Sequence, residues 1–118
     1  MVLTVSKDEQ RKAEQEVRAW GFDTVYTWTD KPCVFTVSYH RFSSDIRRVH
    51  RRTYYKPHSH QGLTTHLILA GDLTIAFPKD DADKKETHGV GARLDVAANQ
   101  VHEVWVGDEG CVMVIGEE

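Results

Sequence analysis

Several protein classes are excluded by what this sequence is short of. It has two cysteines in 118 residues, Cys33 and Cys111. Two such distant cysteines do not make a disulfide framework, and neither sits in a CxxC or HxxC pattern, which argues against a thiolate metal site or a cysteine nucleophile. Cationic charge is also limited. Fifteen lysines and arginines face 18 aspartates and glutamates, a net charge of −3, so no general attraction to nucleic acid or an anionic membrane is expected. No apolar run approaches the ~20 residues that span a bilayer. The opening "MVLTVSKDEQ" lacks the basic-then-apolar plan of a secretory signal. GxSxG, a phosphate-binding glycine loop and HExxH are all absent. The expectation is a cytoplasmic protein with two free thiols and with neither nucleic acid nor membrane as a partner.

The 40% hydrophobic content is enough to build a core, and the length suits one domain over residues 1–118. "MVLTV" is compatible with a short strand. "SKDEQRKAEQEVRAWG" predicts a helix over about 7–20. Ser6 and Glu9 make a capping box, Ala13, Val17 and Trp20 share one face, and Gly21 is the stop. Everything afterwards, about 24–116, reads as strands. The segments are "TVYTWT", "CVFTVSYHRF", "IRRVHRRTYY", a pair "THLIL" and "LTIAF" joined by a hairpin at Ala70-Gly71-Asp72, then "ARLDVA", "VHEVWV" and "CVMVIG". "PKDDADKKETHG" reads as a charged loop, "GDEG" as a break between strands, and Trp20, Trp28 and Trp105 as packing residues. Short strands with frequent turns predict an all-β sandwich or barrel. The run "RRVHRR" reads as a solvated edge strand, since charges protect sheet edges.

The chemistry gathers in "PHSHQGLTTHLILAGDLTI". His58 and His60 are two apart and so share one side of an extended chain. His66 follows beyond the bend "QGLT", and His102 lies far along the chain, just after the turn "ANQ". Imidazoles converging from separate strands suit a divalent transition metal, with coordination positions left open for water or substrate.

This spacing resembles the cupin family. The first cupin motif is an HxH pair, an acidic residue about four positions on, and a glycine seven later; His58, His60 and Gly71 fall in register. The second is matched in length by "GARLDVAANQVH", from Gly91 to His102, with Ala97 at the usual proline and Asn99 at the turn glycine. Asparagine is a sensible replacement there, because it tolerates positive φ. The resemblance covers about residues 54–116. It implies a jelly-roll barrel with one N-terminal α-helix outside, and one divalent metal (Fe, Mn, Ni or Zn) in the barrel mouth. His58, His60 and His102 would be ligands. Thr64 stands where many cupins carry a glutamate ligand, and a hydroxyl is a poor substitute. His66, two residues on, can supply the fourth ligand or a contact behind the ligands. An all-histidine site keeps the full charge of the metal and favours an anionic substrate. Tyr54, Lys56 and Thr64 are candidate pocket residues, Tyr54 and Lys56 on condition that the strand runs straight into His58. The function implied is an enzyme on a small organic molecule, such as a dioxygenase, isomerase or decarboxylase. The alternative is a non-catalytic module that binds a small ligand. Cupins commonly pair through sheet edges, so a homodimer is expected.

Overall fold

A computed structural model describes residues 4–31, 33–38, 46–51 and 53–118, with 33–38, 46–51 and 81–83 described through the backbone alone. Its elements, in chain order, are α1 (Lys7–Ala19), β1 (Thr24–Asp30), β2 (Cys33–Ser38), β3 (Ile46–Arg51), β4 (Tyr54–His58), β5 (Thr64–Phe77), β6 (Asp81–His88), β7 (Arg93–Val96) and β8 (His102–Glu117). The all-β, antiparallel class with one helix is as expected. Thr4 and Val5 are not in a strand, and residues 1–3 of the expected first strand lie outside the described residues.

Two long strands, β5 and β8, run antiparallel beside each other and belong to two layers at once. In the first layer the order is β1, the end of β8, the start of β5, then β7. In the second it is β4, the start of β8, the end of β5, then β6. The passage between layers occurs where the pairing register shifts, between Ile68 and Ala70 and between Gly71 and Leu73 of β5. Gly71 sits there with φ +78° and Gly110 of β8 with φ +90°. The hairpin expected at Ala70-Gly71-Asp72 is therefore a bend within one strand, and "GDEG" is a bulged passage inside β8. Positive φ at a glycine reads the same in sequence for a turn and for a bulge. The jelly-roll plan follows, with Ile68, Leu73, Ile75, Val96, Val104, Val106 and Met113 packed between the layers.

The expected charged loop contains a strand, since β6 pairs with β5 from Leu73↔His88 to Phe77↔Asp81. Its charges hide the strand signal because it is an edge, and edge strands carry charges. β2 and β3 form a separate two-stranded sheet, Cys33↔Arg51 to Ser38↔Ile46. "RRVHRR" lies partly on β3, whose side chains are not described; His40 and Arg52 lie outside the described residues.

The helix is capped as expected. Ser6 Oγ accepts from the Glu9 N–H at 3.1 Å, and Gly21, at φ +105°, follows its end. Ala13 and Val17 pack with Phe22, Leu67 and Val114 on the outer face of the first layer. Trp20 is only half-buried, with the Arg93 guanidinium 3.9 Å above its ring. Among the described residues no helix is long and apolar enough to cross a membrane.

Candidate functional site

Between the layers lies a cavity of about 210 Å³. Three imidazoles meet at one part of its wall. His58 ends β4 and pairs in register with His102 at the start of β8, and His60 stands in the bend that follows β4. Ring centroids are 4.2 Å apart for His58–His102, 5.1 Å for His58–His60 and 5.2 Å for His60–His102. Each ring offers one nitrogen, and these all lie within 4.8 Å of one another.

The backbone fixes which nitrogen is offered for two of them. His58 Nδ1 lies 2.8 Å from the Lys56 carbonyl and His102 Nδ1 3.0 Å from the Gln100 carbonyl. A carbonyl only accepts, so Nδ1 carries the proton and Nε2 keeps its lone pair. Metal-binding histidines are commonly oriented by such a partner. Burial of His102, together with repulsion from His58 and His60, holds its pKa below the usual histidine value, so the neutral, ligating form prevails at neutral pH.

The two motifs are tied by their backbones. Asn99 has φ +64°, and its N–H donates to the His60 carbonyl at 2.7 Å. The turn that launches His102 is thus bonded to the residue it must face. Asn99→Gly is expected to leave stability and metal affinity almost unchanged. Asn99→Val should cost about 1–2 kcal/mol and weaken metal binding. Paired urea melts and metal titrations check this; equal behaviour of the two variants would disprove it.

His66 lines the same cavity but is not part of the three-histidine cluster. Its Nδ1 lies 3.4 Å from the Leu94 carbonyl, long for a hydrogen bond. Burial pushes its pKa down to about 4, outweighing the Leu94 carbonyl and assisted by repulsion from His102 and His60. The folded protein therefore binds fewer protons than the unfolded chain between pH 6.5 and about 4, and stability falls as pH drops through that window. Metal-free protein should lose about 2 kcal/mol between pH 7 and 4.5. Urea titrations measure it, and His66→Gln should reduce the slope, leaving the part that His102 contributes.

Thr64 is 3% exposed and lines the cavity. Its hydroxyl has no hydrogen-bond partner among the described residues. Tyr54 and Lys56 do not line the cavity. The register shifts between Tyr55 and His58, so the strand does not run straight, and it is Tyr55 that faces inward. Tyr54 is 47% exposed; its hydroxyl donates to Glu103 at 2.7 Å, and its ring lies against Trp105.

Other parts of the wall carry no motif. Tyr26, Trp28 and Asp30 alternate along β1 and face the cavity, as does Glu117 near the end of β8. Trp28 is 46% exposed, on the cavity wall rather than in the core. The Tyr26 hydroxyl donates to Glu117 Oε1 at 3.1 Å and the Tyr55 hydroxyl to Asp30 Oδ1 at 2.6 Å. Burial, then Asp30, pushes the Tyr55 phenol up to about 12. Strand alternation in "TVYTWTD" was the one available signal for the β1 residues. Cys111 is a free, buried thiol, raised to about 12 by burial, which rules it out as a ready nucleophile; the side chain of Cys33 is not described.

No protein-family model matches the sequence, and no curated protein matches it. Solved structures do resemble the fold. A cupin-2 domain containing protein from Shewanella frigidimarina is 22% identical, over 52% of this chain and 57% of its own, with a TM-score of 0.45. A cupin superfamily protein from Desulfitobacterium hafniense is 20% identical, over 81% and 79%, with a TM-score of 0.48. The cupin domain of Drosophila melanogaster CENP-C is 9% identical, over 97% and 100%, with a TM-score of 0.48. The chain thus spans little more than half the length of the Shewanella protein. What defines the fold is the pair of bent strands shared between the layers and the order of their neighbours. On that architecture, and with its HxH pair facing a histidine from the second motif, the chain has the cupin fold and carries a three-histidine cluster that could hold a metal ion.

Proposed function

We propose that the protein is a metal-dependent cupin acting on a small organic substrate, with His58, His60 and His102 as metal ligands. The observation that carries this reading is the convergence of three imidazole nitrogens within 4.8 Å of one another on a cavity wall. Three protein ligands leave room for an exogenous one, as catalytic sites require. That openness favours an enzyme over a closed binding module. A divalent metal held there would supply Lewis acidity or a centre for oxygen chemistry.

The chain's own residues would divide the remaining work. His66 stands beside the three ligands, where it can complete the metal's protein ligands or contact what the metal binds. The apolar side chains of Leu73, Val104, Met113 and Ile115 on the cavity wall exclude water. Glu117 and Tyr26, joined by a hydrogen bond, are placed to hold or move a proton. The anionic substrate expected from the sequence would have to gain its affinity from the metal, because no lysine or arginine is among the described lining residues.

Elemental analysis of protein purified without added metal tests the proposal. The expected result is close to one transition metal per chain. Iron or manganese would direct attention to oxygen chemistry, and zinc or nickel to hydrolysis or isomerisation. Protein that takes up no divalent metal on titration would refute the reading.

A further inference from the structure

We infer that the cavity recognises a small organic ligand bearing an ammonium group, held between Glu117 and Thr64. This rests on the proposal that the cavity takes a small organic ligand, but not on which metal the histidines hold. Thr64 and Glu117 are register partners on adjacent strands, so their side chains stand side by side on one face. Both line this cavity and a second one beside it, and His60 of the cluster does so too. A ligand group placed there is next to the histidines.

Three features select its chemistry. Glu117 is held in place by the Tyr26 hydroxyl, and a carboxylate accepts hydrogen bonds without donating any. The Thr64 hydroxyl is enclosed and has no partner among the described residues, a condition that is costly until a ligand relieves it. Rotation about its Cα–Cβ bond would turn the oxygen toward a ligand, where it could accept. Tyr26 and Trp28 add aromatic faces from β1, which attract cations. An ammonium group supplies several donors and a positive charge to this set. A carboxylate ligand placed there would meet Glu117 with no cationic side chain among the described lining residues to offset it. A purely apolar group would leave Thr64 unpaired.

Benzylamine, benzyl alcohol and benzoate, matched in size, provide the test, titrated by calorimetry and NMR into chelator-treated protein at pH 7. Benzylamine should bind at least ~10-fold tighter than benzoate, with the alcohol between them. Glu117→Gln, which keeps the side-chain shape, should abolish the preference for the amine over the alcohol. Thr64→Val should weaken the amine several-fold, and Thr64→Ser should restore it. Benzoate or the alcohol binding as tightly as the amine would overturn the inference, as would failure of all three to bind or an unchanged preference in Glu117→Gln. Metal content, measured separately, reports on the histidine cluster. Failure of the purified protein to hold or take up metal, with the amine preference retained, would count against the metal reading alone.

Discussion

Replacing His102 with alanine is expected to abolish the metal binding proposed for the histidine cluster. The residue is 1% exposed and is the sole member of the cluster contributed by the second motif. Without it the HxH pair is left with two imidazoles, and neither His66 nor Thr64 belongs to the cluster to replace it. The expected loss of affinity is on the order of 100-fold or more, beyond the ~10–100-fold typical of residues that merely support a ligand. Metal titration of chelated protein, with metal content after purification as a second readout, measures it. His66→Ala should lose about 10-fold and Thr64→Val almost nothing. Because the His102 ring is buried, circular dichroism must show that the variant is folded. Wild-type metal content in folded His102→Ala would remove the residue from the site.

The second large effect is expected on the face of the sheet turned away from the cavity. Gly116 lies on β8 beneath the helix. A Cβ added there would lie 2.7 Å from Val17 Cγ1, 2.9 Å from Phe22 Cγ and 3.0 Å from Thr65 Cγ2. Val17 is wholly enclosed and cannot swing aside, so α1 would have to lift from the sheet. Gly116→Val should therefore cost about 3 kcal/mol, lowering Tm by about 10 °C or more. Gly89→Ala is the control, because an added Cβ there meets nothing within 4 Å, and its effect should stay within about 0.5 kcal/mol. Similar melting of the two variants would mean that helix docking is not set by this contact.

The parts of the molecule that were legible in the sequence are those with short-range causes. Ser6 and Gly21 delimit α1 because capping is a local hydrogen-bond problem. Asn99 could be assigned positive φ because few side chains tolerate it. The His58, His60 and His102 grouping was legible through motif spacing. What was hidden depends on distant partners. Whether Gly71 closes a hairpin or bends one strand is decided by β8, which follows β5 or turns away. Which of Tyr54 and Tyr55 faces the cavity depends on the pairing of β4 with β8, whose register shifts between Tyr55↔Val104 and His58↔His102. Glu117 and Tyr26 meet from strands ninety-one residues apart, with no motif linking them.

The placement of β8 also bears on how the fold is reached. Among the described residues β1 pairs with β8 alone, so Thr24 waits for Glu117 and Asp30 for Cys111. β4 likewise pairs with β8. During synthesis these strands leave the ribosome with their edges bare, and the helix has no completed surface to dock on. The sheet can assemble only after the final described strand has emerged. Pairings this far apart in sequence pay a large loop-closure entropy before any contact repays it, which places the folding rate among the slow all-β domains, in the range of about milliseconds to seconds. Until then, exposed strands in a crowded cell are open to pairing with the wrong neighbour.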